Sequence, residues 1–310
     1  MAEEGAISRW ASDAPAIDAR GLRKRFGKRD VLRDAAIRVR AGTVMGLIGP
    51  NGAGKTTFLK ALTGVTRLDQ GTVEVLGRDV PGELGSLRGS IGSVVGGPAL
   101  YPHLSVSENV QVAAWSAGSV REGEAIRRAI SLVSLEPYAR ELGGRLSDGL
   151  KVRTAIAMAV VTDPDVLILD EPLAALDPLS ARQVRQLMQS MAGEGRAVLY
   201  SSHQLVEVGI VADEVSLLNE GQVIVSGSLD QLLAPKGARI SINPGLVATA
   251  SAKLREASIE HVQAEGSITL PSEDVTSALE ILVVAGIVPT EVSTVRQTLE
   301  DVFLQAVGGS

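Results

Sequence analysis

Cysteine is absent from this 310-residue chain, which removes disulfides, thiol nucleophiles and cysteine metal ligands from consideration. Aromatic residues make up only 3% of it, so stacking surfaces for single-stranded nucleic acid are scarce. There is no basic excess either. Thirty Lys and Arg face thirty-six Asp and Glu, a formal charge of −6, and no electrostatic case for wrapping a polyanion follows. Nucleic acid is therefore not expected as a partner. Long apolar runs are missing too: the longest, such as Ala155–Val161, fall far short of the ~18 residues that span a bilayer. Any membrane role must come through a partner. The N-terminal MAEEGAISRWASDAPA is acidic where a secretory signal would be basic, and no apolar core of signal length follows it.

What is present is apolar content of 45%, enough for a sizeable core, and a length suited to one large domain or two ordinary ones. Residues 1–15 read as a flexible tail. From Ile17 to Val39 the pattern is strand-like, with Ile37 and Val39 alternating with Arg38 and Arg40, and Thr72–Leu76 is a further short strand. Val44–Ile48, Val166–Leu169 and Ala197–Tyr200 read as buried parallel strands. A helix with Val184, Leu187, Met188 and Met191 on one face joins the last two, an order that implies a covered parallel sheet. Val215–Leu218 and Gln222–Val225 form a hairpin. Near Pro235 the character changes, and the remainder reads β-α-β-β-α-β, as in a ferredoxin-like unit, with strands that include Ile287–Val292, and a final helix. The expected domains are thus 16–235 and a C-terminal α+β domain, 236–310.

Gly49-Pro50-Asn51-Gly52-Ala53-Gly54-Lys55-Thr56 fits the phosphate-loop pattern G-x-x-x-x-G-K-[ST], between an apolar strand and the helix that starts near Thr57. Glycines let backbone N–H groups close around a phosphate, the helix N-terminus adds positive potential, and Lys55 reaches the terminal phosphates. Thr56 suits Mg²⁺ as a hydroxyl ligand. Val166–Leu169 ends in Asp170 and Glu171. The first carboxylate suits the shell of that Mg²⁺ and the second suits polarising an attacking water. Neither His103 nor His261 has a partner that the sequence can name.

These residues carry a family resemblance. Ser147-Asp148-Gly149-Leu150-Lys151 resembles a variant of the signature of ATP-binding-cassette (ABC) ATPases. Ala175-Leu176-Asp177-Pro178 resembles their D-loop, Ser201-Ser202-His203 their switch histidine, and Phe26 sits where the family carries an adenine-stacking aromatic. The resemblance covers residues ~17–230. The tail, ending Leu299-Glu300-Asp301-Val302-Phe303-Leu304, resembles the extension on ABC subunits of drug and bacteriocin exporters.

The resemblance implies an α/β phosphate-loop NTPase cassette: a mostly parallel core sheet, an N-terminal antiparallel β subdomain and a helical subdomain at about 97–162. It implies an ATPase using ATP and Mg²⁺, the ATP-hydrolysing subunit of an ABC transporter, and of an exporter among these. Nucleotide contacts would come from Phe26, Gly49–Thr57 and, across a dimer with a second cassette, from Ser147 and Gly149. Thr56 and Asp170 would hold the metal, and Lys55, Glu171 and His203 would serve the chemistry. An integral membrane permease would dock on Pro98–Asn109, which places the chain in the cytoplasm on the inner face of the membrane. Rival readings are a regulatory cassette with weak hydrolysis and a soluble ABC ATPase outside transport. Two departures stand out: Asp148 replaces a glycine, and Gly96 stands where the family has Gln or Glu. Restoring either side chain at 96 is expected to raise turnover or its stimulation by the permease.

Overall fold

The computed structural model describes residues 14–118 and 122–308, so most of the expected tail, 1–13, lies outside the described residues. The chain divides into two compact units, Met1–Leu229 and Asp230–Ser310. The division falls ahead of the compositional change at Pro235.

The first unit opens with β1 (Ile17–Phe26) and β2 (Arg29–Val39) as an antiparallel pair. Leu32, Ala35, Ile37 and Val39 point inward from β2, and the phase shifts at Asp34, whose φ is +67°. After β3 (Val44–Ile48), α1 (Lys55–Leu62) and β4 (Gln70–Val75) with its short partner β5 (Arg78–Asp79), the N-terminal sheet has the order β2-β1-β4-β5. The larger sheet adds β6 (Ile91–Val94) and then, past three helices, β7 (Val166–Asp170). Those helices are α2 (Val106–Ser116), α3 (Glu122–Leu132) and α4 (Asp148–Val160). α5 (Pro178–Gly193), β8 (Ala197–Ser202), α6 (Leu205–Val211), β9 (Glu214–Asn219) and β10 (Gln222–Ser228) complete the unit.

The six-stranded order is β10-β9-β3-β8-β7-β6, parallel throughout except for the β9–β10 hairpin. Every residue of β3 and β8 is buried, which is why these runs are apolar on both faces instead of alternating. Asp177 caps α5 by accepting the N–H groups of Leu179 and Ser180, Pro178 takes the first position, and Val184, Leu187, Met188 and Met191 face inward. Strand order places the carboxyl ends of β3, β6, β7 and β8 along one edge, where parallel α/β sheets hold their ligands.

The second unit runs from the short α7 (Leu229–Leu232), which straddles the division, through β11 (Pro235–Ser241) and α8 (Val247–Glu256) to β12 (Val262–Ala264) and β13 (Ser267–Pro271). α9 (Val275–Val284), β14 (Glu291–Arg296) and α10 (Leu299–Gly308) follow. Its sheet is antiparallel in the order β12-β13-β11-β14 around a core that includes Ile240, Leu254, Ile268 and Leu282. The last strand corrects the sequence reading. Ile287 is buried, but its N–H bonds to the Leu282 carbonyl at 2.8 Å and closes the turn after α9, so the strand begins only at Glu291. An apolar residue after a helix marked a cap contact, not a strand.

Candidate functional site

The loop Gly49–Gly54 leaves β3 and enters α1, whose first residue is Lys55. A Cβ on Gly49 would lie 2.2 Å from the Leu218 carbonyl oxygen, so nothing larger fits there. The tip of the β9–β10 hairpin braces the loop from outside: the Gly221 N–H donates to Ala53 O at 3.0 Å, and Gly221 O accepts from Arg33 N at 2.8 Å. Lys55 is buried, and its ammonium donates to the Gly49 carbonyl at 2.7 Å. It also lies 3.3 Å from a Glu171 oxygen.

The Thr56 hydroxyl donates to Asp170 Oδ2 at 2.7 Å. That same oxygen accepts the Gly96 N–H at 3.2 Å. Gly96 adopts φ +78°, a left-handed conformation in which its N–H turns toward β7. Here the backbone of the loop after β6, in place of a side chain, touches the carboxylate. Ser201 Oγ donates to Asp170 Oδ1 at 2.6 Å and accepts the Glu171 N–H at 2.9 Å. One hydroxyl therefore holds the Asp170 carboxylate and the Glu171 main chain, and Glu171 is turned into the left-handed region, φ +49°. Glu171 Oε2 lies 2.9 Å from His203 Nδ1. A carboxylate only accepts, so Nδ1 carries the proton and Nε2 is left for another partner.

Lys55, Thr56, Asp170, Glu171 and His203 thus meet at one sheet edge, contributed by the ends of three parallel strands. Ser147 and Gly149 do not join them: among the described residues no hydrogen bond links them to the phosphate loop. Ser147 caps α4 by accepting the Leu150 N–H at 3.4 Å, and Gly149 abuts the Ala175 carbonyl. Asp148 is paired with Lys151 at 3.0 Å. Phe26, at the end of β1, is half exposed with the Lys24 ammonium 5.1 Å from its ring centroid. His261 has partners after all, Ser251 Oγ at 2.7 Å and Ile259 O at 2.9 Å, which give it a structural place beside α8. Ser201 and Asn109 carried roles that the sequence did not assign. Asn109 is wholly buried; it accepts from Tyr101 N and donates to the carbonyls of Tyr101, Leu104 and Ser105, which fixes the loop before α2.

The ABC transporter family profile matches residues 32–174. A daunorubicin resistance ATP-binding protein of Streptomyces coeruleorubidus is 33% identical over 303 residues, covering 94% of this chain and 96% of that protein. The chain belongs to the ABC transporter family. A bacitracin transport ATP-binding protein of Enterococcus faecalis is 29% identical over 94% of this chain and 96% of its own. A Nod factor export ATP-binding protein of Burkholderia lata is 36% identical over 70% of this chain and 72% of its own. Among solved structures, the ATP-binding subunit of an ABC transporter superposes with TM-score 0.65 at 28% identity, covering 70% of this chain and 91% of that one. A dimeric bacterial ABC transporter cassette gives 0.63 at 25% identity, over 69% of this chain and 98% of its own. This ABC protein is accordingly the ATP-binding, ATP-hydrolysing subunit of a transporter, in a family whose cassettes form dimers and work with membrane permeases. Among the described residues no helix is long and apolar enough to cross a membrane.

Proposed function

We propose that this subunit powers export. The observation that carries its chemistry is the pair of adjacent carboxylates at one sheet edge, with Lys55 and His203 both on Glu171 and Thr56 on Asp170. The phosphate loop, residues Gly49–Thr57, cradles the β- and γ-phosphates of ATP, and Phe26 carries the adenine. Lys55 exchanges Glu171 for phosphate oxygens when nucleotide arrives, which frees that carboxylate to orient water. His203 stays on Glu171 through Nδ1, so its Nε2 donates to the γ-phosphate only as the imidazolium. Thr56 and Asp170 offer hard oxygen donors 2.7 Å apart, a pair that suits Mg²⁺. Among the described residues no cluster of three or more His, Asp or Glu exists to cage a metal, which fits an ion held largely by phosphate and water. The metal would neutralise charge on the β- and γ-oxygens.

In a dimer, Ser147 and Gly149 of one cassette would cap the nucleotide on the other, with the exposed N-terminus of α4 offering its N–H groups. The permease contact is read onto Pro98–Asn109. A groove of about 490 Å³ borders that segment, lined by apolar residues such as Val65, Ala99 and Met158 together with Thr63, Arg88 and Ser116, a size and mixed character suited to an amphipathic helical segment of a permease. This would hold the chain on the cytoplasmic face of the membrane. Export is supported by full-length relatives named for drug resistance and bacitracin transport. Glu171→Gln tests the site: turnover should fall at least about 100-fold while ATP binding persists. Mg-ATP should then hold the variant as a dimer in size-exclusion chromatography. Turnover like that of the wild type would refute the assignment.

A further inference from the structure

The β1–β2 hairpin is rich in cations, and most of them are neutralised where they stand. Arg23 faces Asp34 at 3.6 Å, Lys24 faces Asp69 at 3.2 Å, Arg25 faces Asp30 at 3.6 Å and Arg33 faces Glu220 at 3.6 Å. Arg29 differs. Among the described residues it has no carboxylate partner, and its guanidinium reaches out of the hairpin to the phosphate loop, with Nη2 3.4 Å from the Gly52 carbonyl. That bond is long and engages one acceptor, so most of the guanidinium's fixed fork of donors is left unused. Arg29 is also the cross-strand partner of Phe26.

We infer that Arg29 binds the phosphate chain of the nucleotide, an inference that rests on the phosphate-loop reading above. Arg29 starts opposite Phe26 in the hairpin and its guanidinium ends on the phosphate loop, so a ligand whose base lies on Phe26 and whose terminal phosphates lie in the loop runs past it. At that point the ligand carries phosphate oxygens, and an uncompensated guanidinium is the group best matched to them in geometry and charge. Arg29 thus reads the charge of the ligand where Phe26 reads only its flat face. Lys28, its neighbour, also lacks a partner among the described residues, but no contact joins it to the loop; it serves as a control for charge at a distance.

The test is titration of the full chain with Mg-ATP, Mg-ADP and adenosine at low and high salt. Arg29→Gln keeps an N–H donor for Gly52 and removes the charge. It should weaken Mg-ATP and Mg-ADP about tenfold and flatten their salt dependence, leaving adenosine binding as in the wild type. Arg29→Lys should come within about threefold of wild type, and Lys28→Gln within about twofold. Arg29→Gln at wild-type affinity would overturn the inference. So would Arg29→Lys as weak as Arg29→Gln, since that would reduce Arg29 to a strut for Gly52. Wild-type protein that binds no Mg-ATP would overturn the nucleotide site itself instead.

Discussion

Gly96→Gln restores the side chain that the family resemblance leads one to expect, and the structure says that it should do harm. Gly96 sits at φ +78°, where an L-residue costs about 1–2 kcal/mol. A Cβ would lie 3.1 Å from Lys60 Cε and 3.2 Å from Nζ, the far end of a flexible chain, so that contact relaxes cheaply and the backbone term dominates. If the loop holds its shape, the loss shifts the cassette's Tm down by about 2–8 °C. If it relaxes to negative φ, the strain is relieved but the Gly96 N–H leaves Asp170 Oδ2, the oxygen that also accepts from Thr56. Either route weakens the carboxylate's placement. Basal ATP turnover should therefore fall several-fold in both Gly96→Ala and Gly96→Gln. Gly97→Ala is the comparison: at φ +104°, with no neighbouring atom within 4 Å of its Cβ position, it shares the strain without touching Asp170. It should lose stability and keep its turnover. Thermal melts and steady-state ATPase on the three variants decide the matter. A Gly96→Gln protein that is both faster and no less stable than wild type would refute this reasoning.

Asn109→Ala removes four hydrogen bonds from a fully buried amide and should destabilise the cassette by about 2–3 kcal/mol, read by urea unfolding; protection of Tyr101–Ser105 amides against exchange should fall with it. Tyr200 is buried with its hydroxyl unpaired among the described residues, and burial pushes its ionisation far above the ordinary range. Tyr200→Phe should accordingly be neutral or stabilise by about 1 kcal/mol, and a loss of more than that would reveal an unseen partner. Asp18, buried beside Arg20 and Arg38, has its carboxyl held below the usual range chiefly by the Arg20 hydrogen bond. Its stabilisation is present above the unfolded carboxylate value and is lost as pH falls through the lower folded one. Asp18→Asn should cost about 1 kcal/mol at pH 7, with the gap to wild type narrowing as the pH is taken below the ordinary carboxylate range.

Much of the site could be read from residue type and spacing, because its parts sit at fixed places on repeated strand–loop–helix units. Gly49–Thr56 follows a strand, Asp170 and Glu171 end one and His203 follows one, so a parallel sheet brings all of them to one edge. Hidden from the sequence were contacts that depend on backbone direction. Nothing in the letters Ser-Ser-His says that Ser201 ties the Asp170 carboxylate to the main chain of Glu171, or that a glycine at 96 presents an N–H where a side chain was expected. Asn109 looked like a match to a pattern; its fourfold role emerges only once the chain has turned around it. Ile287 misled because burial in a helix-capping turn and burial in a strand leave the same apolar signal.

The bracing of the phosphate loop has a kinetic consequence. Its outer side rests on Leu218 at Gly49 and on the Gly221 N–H at Ala53, contacts made by main chain and present before any ligand arrives. Such a cradle has little shape left to find when phosphate enters, so the ordering that slows many loop-gated sites is absent from the encounter. Arrival of nucleotide should then proceed at a rate set by diffusion and charge, and differences in affinity among nucleotides or variants should be written almost wholly in how long each one stays.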